Sequence, residues 1–522
     1  MEWWQRAVVY QVYPRSFQDS DGDGVGDLRG IESRLDHLVW LGVDTVWLSP
    51  INKSPMVDFG YDVSDYCGVH PEFGTLDDFD RLMAAVKSRG MRLLLDLVPN
   101  HTSDQHPWFV ESRSSRTNPK RDWYLWRDSK PDGSPPNNWQ SVFGGGAWET
   151  DPRTGQAYYH AYLKEQPDLN WANPEVRVAM REAMRFWLDR GVSGFRVDVI
   201  GHLSKDMEFR DNPPDPNAKP DASAYGKILP IHTYDREESA EIVAFLRGVL
   251  DEYDERVMIG EVYVPIPRLV RYYGWGCQLP FNFRLLQLPW NAGVIRGEIA
   301  TYESLLPPGA WPNWVLGNHD SKRIATRVGS AQAAVAATLL LTLRGTPTIY
   351  QGDELGIEHV AIPADRVRDP VEHTLPGRGR DGCRTPMPWV STKGHAGFST
   401  GEPWLPLNAD WPARNVETLA ADGGSILNLH RRLLALRKSE PSLTGGSLKL
   451  LAGPPNVVAF LREQDGRRLA CAHVLTAEAA RFAPGATKGQ IVFATDHARE
   501  GERVTDGEVE LRGNDAVVVA LE

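Results

Sequence analysis

Eight short apolar segments alternate with stretches of helical periodicity over the first 440 residues of this 522-residue chain. Several of these segments are apolar on both faces, as the strands of a buried parallel sheet must be. Strict alternation of eight strands with helices predicts an α/β fold, a (β/α)8 TIM barrel, rather than an open sheet. The predicted strands are residues 8–14, 45–50, 92–99, 194–200, 256–264, 277–283, 313–318 and 346–352. The predicted helices are residues 30–41, 76–89, 174–190, 237–253, 296–305 and 331–343.

Three segments interrupt or follow this alternation and define the domains. Residues 102–169, after the third strand, are rich in Pro, Gly, Asn and Trp and are too long for an ordinary connection, so they predict an inserted subdomain over the barrel mouth. A second Pro-rich insertion, residues 208–236, follows the fourth strand. From residue 441 to 522, short alternating segments with Gly and Pro turns predict a C-terminal antiparallel β-sandwich. The barrel is then residues 1–101 and 170–440.

Composition and charge indicate which partners and which cellular compartment to expect. The net charge is −12 and no sustained basic run is present, so nucleic acid and anionic membranes are not expected partners. No run of about 18 apolar residues is present, so no membrane span is predicted. The amino terminus has no basic segment before an apolar one, so we expect a cytoplasmic protein. The scattered cysteines are predicted to be reduced thiols: Cys67, Cys277, Cys383 and Cys471.

Three acidic residues, Asp198, Glu261 and Asp320, each lie at or just after the end of an apolar, strand-like segment. A carboxylate in such a place loses hydration, which is costly. In a parallel barrel these positions meet at the C-terminal mouth, where active sites form. The alternative is a set of structural ion pairs at the barrel rim. Three acids together favour chemistry over that alternative.

The residues around these acids suggest unequal roles. Arg196 and Asp198 are two residues apart on one strand and face the same side, so the guanidinium is expected to keep Asp198 ionised, as a nucleophile requires. Glu261 ends an apolar strand, where loss of hydration favours the protonated form of a general acid. Two such carboxyls about 5–5.5 Å apart support cleavage of a glycosidic bond with retention of configuration.

Four short motifs in order along the chain resemble the regions shared by the α-amylase superfamily of glycoside hydrolases: DLVPNH (96–101), GFRVDVI (194–200), GEVY (260–263) and GNHD (317–320). Three more resemble its α-glucosidase and oligo-1,6-glucosidase branch: the N-terminal WWQRAVVYQVYPRSF, QPDLNW (166–171) and GRDGCRTPMPW. The resemblance spans nearly the whole chain. It implies that Asp198 is the nucleophile, Glu261 the acid/base and Asp320 the transition-state stabiliser.

The resemblance also implies a set of sugar-binding residues. His101, Arg196 and His319 would hold hydroxyls of the non-reducing-end glucose. Asp58 and Tyr61 would form the closed end of the pocket, with Arg384 as the partner of Asp58. The sugar path would be lined by residues of the inserted subdomain, Phe143, Tyr162 and Gln166. Pro388 stands where the branch usually has Gln, so the motif that contains Arg384 departs from the branch pattern.

The segment DSDGDGVGD (19–27) has acidic residues at the alternating spacing of a calcium loop: Asp19, Asp21, Asp23 and Asp27. Its twelfth position is Gly30 rather than a bidentate Glu, so it is not a complete EF-hand. The resemblance implies a structural Ca²⁺ here, with the Val25 carbonyl as a further ligand. Mg²⁺ is the alternative ion, and no organic cofactor is expected.

These observations predict a retaining, exo-acting α-glucosidase that hydrolyses short α-glucosides of the maltose, isomaltose, sucrose or trehalose type. We expect a small oligosaccharide or disaccharide as substrate and a monomer or weak homo-oligomer. An oligo-1,6-glucosidase, or a transglucosylase or isomerase on the same fold, is the main alternative, because the glucosyl intermediate is shared. A non-catalytic partner subunit is a third reading, disfavoured because all three acids are present. Val199 is similar to the residue of α-1,6-cleaving members, and residues 208–236 are expected to restrict the aglycone side.

Overall fold

The computed structural model describes all residues from 1 to 522, and a ring of eight parallel strands forms its centre. The strands are β1 Val9–Val12, β2 Thr45–Leu48, β3 Arg92–Leu97, β4 Gly194–Val197, β5 Val257–Gly260, β6 Leu279–Pro280, β7 Asn313–Val315 and β8 Thr346–Tyr350. The strand order around the ring is β6-β5-β4-β3-β2-β1-β8-β7, and a parallel bridge between Asn282 and Trp314 joins its two ends. The predicted barrel is therefore confirmed.

Helices cover the outside of the barrel and bury the outer faces of the strands. β1, β2, β4, β5 and β8 are buried along their whole length, as apolar strands between a core and a helical layer must be. The predicted helix over 30–41 is two helices, because Arg34 leaves helical geometry with φ −108° and ψ 3°. The main helices are Leu28–Ser33, Leu35–Leu41, Leu76–Ser88, Pro174–Asp189, Ser239–Leu250, Ala292–Leu305, Ala333–Thr342 and Ile426–Ser439.

Two insertions rise above the carboxyl ends of the strands. After β3, the insertion contains the helix Pro107–Ser112 and a three-stranded antiparallel sheet, and part of the insertion packs around a small separate core that contains Trp139. The sheet consists of Trp126–Asp128, Trp148–Thr150 and Gln156–Tyr159. The second insertion is largely irregular, and paired bonds between Asn138 and Asn212 tie it to the first. Together the two insertions wall the mouth of the barrel.

The C-terminal part is an antiparallel β-structure with a separate hydrophobic core. Its main sheet has six strands, and a two-stranded sheet of Ala480–Phe482 and Val509–Leu511 packs on the same core. The six strands are Ser447–Leu450, Val457–Gln464, Arg467–Val474, Gly489–Ala494, Arg503–Val504 and Ala516–Leu521. All four cysteines are free thiols, as predicted. None of the helices combines the length and apolar character needed to cross a membrane.

Candidate active site

A cavity of about 850 Å³ opens at the carboxyl ends of the barrel strands. It brings together residues that are far apart in sequence, which is how barrel enzymes assemble their sites. Nine of the twelve residues predicted for catalysis or sugar binding lie on its wall: Asp58, Tyr61, His101, Phe143, Tyr162, Gln166, Asp198, Glu261 and Asp320. The other three, Arg196, His319 and Arg384, are almost completely buried and lie behind the wall.

Arg196 lies beneath the cavity and contacts three carboxyl groups. Its Nη1 atom donates to Asp96 Oδ1 and Asp198 Oδ1, both at 2.7 Å, and its Nη2 atom lies 2.6 Å from Glu261 Oε2. The barrel register explains this arrangement, because Asp96 on β3 pairs with Arg196 on β4. Asp198 follows two residues later on the same face, and Glu261 directly follows the neighbouring β5. The predicted nucleophile and the predicted acid therefore share one guanidinium.

The charge balance of this cluster requires a bound proton. Three ionised carboxylates around one guanidinium would leave two uncompensated negative charges in a buried site, which is costly. Burial and the neighbouring Glu261 raise the pKa of Asp198 well above its ordinary value, against the opposing effect of Arg196. Burial likewise raises the pKa of Asp96 to about 6. The expectation that Arg196 by itself keeps Asp198 ionised does not hold, because that cation is divided among three acids.

Asp320 is a half-buried acid in a different electrostatic environment. Its Oδ1 atom accepts from Arg384 Nη2 at 2.8 Å and from Arg380 Nη1 at 3.4 Å, and its Oδ2 atom lies 3.3 Å from His319 Nε2. Burial alone would raise the pKa of Asp320, but His319, Arg380 and Arg384 together lower it well below its ordinary value. Asp320 is therefore ionised at neutral pH, and of the three acids it is the least suited to donate a proton.

Arg380 closes the inner end of the cavity. Its Nη2 atom donates to Asp58 Oδ1 at 2.7 Å and to Asp369 Oδ1 at 2.8 Å, and its Nε atom donates to Asp369 Oδ2 at 2.8 Å. The prediction that Arg384 pairs with Asp58 is wrong, since Arg384 pairs with Asp320 instead. The two arginines lie four residues apart in one motif, and sequence spacing does not tell which of them reaches Asp58.

Polar and aromatic side chains line the wall next to this closed end. Gln166 Nε2 donates to Asp58 Oδ2 at 3.1 Å and lies 3.2 Å from His101 Nε2. The ring of Tyr61 stacks on His319 with 5.4 Å between centroids and 1° between planes. These contacts gather donors, acceptors and a flat ring at one end of the cavity, as recognition of a sugar ring requires.

The outer half of the cavity is formed by the two insertions and by residues 371–378. Phe143 and Tyr162 of the inserted subdomain lie with their ring centroids 5.0 Å apart. Residues 208–236 do reach the cavity, as expected. Their contribution to the wall consists of Asp221, Ser223, Tyr225, Pro230 and Tyr234. The segment after β8 adds Val371, Leu375, Pro376 and Arg378, which the sequence did not single out.

A buried ion pair fastens the inserted subdomain to the barrel. Lys205 Nζ lies 2.5 Å from Asp168 Oδ2 and donates to Asn100 Oδ1 at 2.6 Å. Asp168 in turn accepts from the main-chain N–H of Ala161 at 2.7 Å. Sequence reasoning missed Lys205, because a single lysine after a strand carries no distinctive pattern.

Val199, directly after Asp198, adopts a left-handed conformation with φ 37° and ψ 49°. A branched residue there is strained, and such strain concentrates at functional sites. The conformation lets the Val199 N–H donate to Glu261 Oε2 at 3.1 Å while the side chain lies on the cavity wall. The strained turn therefore links the two acids through the main chain.

The acidic loop after β1 lies apart from the cavity. Carboxylate oxygens of Asp19, Asp21 and Asp27 lie within 4.8 Å of one another, which suits a hard cation with oxygen ligands. Asp23 is not part of this group, and its Oδ1 atom accepts from the main-chain N–H of Val25 at 2.7 Å. The residues present fit a Ca²⁺ or Mg²⁺ ion through three of the four predicted acids.

Comparison with known proteins agrees with this geometry. The family model for the α-amylase catalytic domain matches residues 11–446. The chain belongs to the α-amylase family. It is therefore a glycoside hydrolase, built on the barrel that this family uses.

Relatives place the chain in the α-glucosidase and oligo-1,6-glucosidase branch. A probable α-glucosidase of Rhizobium meliloti (strain 1021) is 43% identical over 498 residues, which cover 92% of this chain and 90% of that protein. An oligo-1,6-glucosidase of Parageobacillus thermoglucosidasius is 40% identical over 511 residues, which cover 90% and 89%. Among solved structures, the α-glucosyl transfer enzyme XgtA matches with a TM-score of 0.94 and 41% identity over 100% of both chains. The trehalulose synthase MutB from Pseudomonas mesoacidophila MX-45 matches with a TM-score of 0.89 and 34% identity, again over 100% of both chains.

Proposed function

We propose that this protein is a retaining, exo-acting α-glucosidase that releases glucose from the non-reducing end of short α-glucosides. The observation that carries the proposal is the position of Asp198 and Glu261 on one guanidinium, next to a cavity end closed by Asp58 and Arg380. A closed end admits a chain terminus and excludes the interior of a polymer. The maltose, isomaltose, sucrose and trehalose types of substrate all present such a terminus.

In the proposed reaction, Asp198 attacks the anomeric carbon while Glu261 protonates the departing oxygen. Double displacement requires that Glu261 carry the proton of the three-carboxyl cluster and that Asp198 be the anion when the substrate is bound. Glu261 then takes a proton from water, which displaces Asp198 and restores the cluster. Asp320, ionised and held by two arginines, binds sugar hydroxyls and strengthens those bonds in the transition state.

The proposal is tested by following product stereochemistry and by removing the nucleophile. Proton NMR of fresh maltose digests should show α-glucose first, as double displacement requires. Asp198→Asn should lower kcat by about three orders of magnitude or more with an unchanged melting temperature. First release of β-glucose, or a tenth of wild-type activity in Asp198→Asn, would contradict the assignment. A higher rate on maltotetraose than on maltose would contradict the preference for short substrates.

Transglucosylation is the second candidate activity, and the outer half of the cavity favours it. The wall of this half includes apolar and aromatic residues from two segments: Val371, Leu375, Pro376, Tyr225 and Tyr234. Such a surface binds an acceptor in place of water. The similarity to XgtA, described as an α-glucosyl transfer enzyme, supports the same reading. Transglucosylation is measured by the ratio of transfer product to free glucose as the substrate concentration is raised.

For linkage, we propose a preference for α-1,6 over α-1,4 bonds. Val199 lies on the cavity wall directly after Asp198, where a branched side chain would crowd the first aglycone sugar. A relative named oligo-1,6-glucosidase supports the same preference. Relative rates on isomaltose and maltose test it.

We also propose that Asp19, Asp21 and Asp27 hold a structural Ca²⁺, or Mg²⁺ in its place. Three carboxylates around one point repel each other, and a divalent cation removes that repulsion. The ion would stabilise the loop after β1 without taking part in the reaction.

Four free thiols and the lack of a membrane-spanning helix support the proposal that the protein is cytoplasmic.

A further inference from the structure

Gln11, on β1, is fully buried inside the top of the barrel and has no role in the reaction proposed above. Its amide Nε2 atom lies 2.7 Å from His319 Nδ1 and donates to Ser49 Oγ at 3.1 Å. His319 in turn lies behind the cavity wall, in contact with Asp320 and Tyr61. Gln11 therefore touches the imidazole that supports the ionised acid.

The His319 ring is fixed in place, so only the position of its hydrogen is undetermined. It lies between Tyr13, at 5.7 Å between centroids and 20° between planes, and Tyr61, at 5.4 Å and 1°. Burial lowers the pKa of His319 to about 3, so the ring is neutral. A neutral imidazole carries its hydrogen on one nitrogen, and the partner of the other nitrogen selects which.

The contacts of the two nitrogens identify the tautomer. The Gln11 Nε2 atom is an amide nitrogen and can only donate, so at 2.7 Å Nδ1 is the acceptor and the ring hydrogen lies on Nε2. On that side Nε2 is 2.8 Å from Tyr61 Oη and 3.3 Å from Asp320 Oδ2. With the amide reversed, its carbonyl would draw the hydrogen to Nδ1, and the Nε2 lone pair would face the Asp320 carboxylate. That arrangement is repulsive, so the observed one is favoured.

We propose that Gln11 is a positioning residue that holds His319 as the Nε2–H tautomer. His319 then donates to Tyr61 Oη, which leaves the Tyr61 hydroxyl hydrogen free to donate to Asp96 Oδ2 at 3.2 Å. Asp96 completes the chain to Arg196, which holds Asp198 and Glu261. One chain of hydrogen bonds thus connects Gln11, beneath the site, to Asp96 and Asp198, and the ion pair of Arg196 extends it to Glu261. The tautomer assignment rests on the contacts of the neutral His319 ring, whereas its catalytic consequence rests on the proposed function.

The groups that face His319 from every side decide what a change at Gln11 does. Asp320 stabilises the charged imidazole, while Arg384, Arg196 and Arg380 oppose it. A carboxylate in place of the Gln11 amide would accept from Nδ1 and favour the imidazolium. An apolar side chain would instead leave Nδ1 without a donor, and only the Asp320 carboxylate would still favour the Nε2–H tautomer, so the preference would weaken.

The test combines histidine ¹⁵N NMR with steady-state kinetics on the full-length protein. In the wild type, the His319 signals, assigned by their loss in His319→Gln, should show a protonated Nε2 and an unprotonated Nδ1. Gln11→Leu should shift this pattern toward a mixture and lower kcat about 10- to 100-fold, with KM within about threefold. Gln11→Glu should protonate Nδ1 at neutral pH. Ser49→Ala removes the other bond of the same amide and is the matched control, with wild-type tautomer and kcat.

A protonated Nδ1 in the wild type would overturn the inference. An unchanged tautomer in both Gln11 variants would also overturn it, and any loss of rate would then be attributed to packing, which the melting temperature reports. These readouts are separate from the proposed function. A wild-type protein inactive on every α-glucoside but with the Nε2–H tautomer would refute the function and leave the tautomer assignment in place.

Discussion

Replacing Arg380 by Met removes the guanidinium shared by Asp58, Asp369 and Asp320 at the closed end of the cavity. Met fills most of the same volume but donates no hydrogen bond. Asp369 keeps main-chain donors, the N–H groups of Val371 and of residue 380. Asp58, which is 3% exposed, keeps only Gln166 among its side-chain partners. The substitution therefore leaves a buried carboxylate without a cation.

The expected loss of stability follows from these contacts. Although burial opposes the effect, the hydrogen bond and charge of Arg380 lower the pKa of Asp369 to about 2. Against an ordinary value of about 3.9, that difference corresponds to about 2–3 kcal/mol. With the further cost of leaving Asp58 buried without a cation, the expected loss of stability is about 3–5 kcal/mol, as is typical of a broken buried ion pair. Because the folded-state pKa of Asp369 is depressed, its contribution is fully present above about pH 4 and is lost as the pH falls toward 2.

Urea unfolding of the wild type and of Arg380→Met between pH 7 and pH 3 measures this loss of stability. The free energy of unfolding of the variant should be lower by about 3–5 kcal/mol at pH 7, and the difference should shrink below about pH 4. Misplacement of Asp58 should also lower kcat/KM about 10- to 150-fold, the equivalent of one charged hydrogen bond. Arg378→Met is the control, because Arg378 is exposed at the cavity mouth and forms no ion pair. A destabilisation below about 1 kcal/mol at pH 7, or one equal to that of Arg378→Met, would refute the reasoning.

Three further predictions concern the rest of the molecule. Lys205→Met should lower the free energy of unfolding in urea by about 3–5 kcal/mol, because it leaves Asp168 buried without a cation. Lys130 is exposed, so Lys130→Met should change the same free energy by less than about 0.5 kcal/mol. Chelation with EDTA should lower the melting temperature while the rate at moderate temperature stays constant, and an unchanged melting temperature would remove the structural ion. Val199→Ala, which removes the branched side chain, should raise the maltose-to-isomaltose ratio of kcat/KM by about 5- to 150-fold, and an unaltered ratio would place linkage choice elsewhere.

Much of the site could be predicted because its residues lie at strand ends or in recognisable motifs. Asp198, Glu261 and Asp320 follow apolar strands, and strand ends converge in a barrel. Arg380 and Lys205 could not be placed in this way, since each reaches its partner across loops whose course depends on packing. For the same reason the sequence predicted Arg384, instead of Arg380, as the partner of Asp58.

The sequence by itself determined the order of strands and helices, the barrel, the two insertions and the three acids, because periodicity and strand ends are local properties. Only the tertiary structure decided which carboxylates pair with Arg196 and Arg380. Arg196 serves three carboxyls rather than one, and Arg380 rather than Arg384 closes the cavity. Electrostatic energies depend on distance and burial in three dimensions, and neither quantity is encoded in the spacing of residues along a chain.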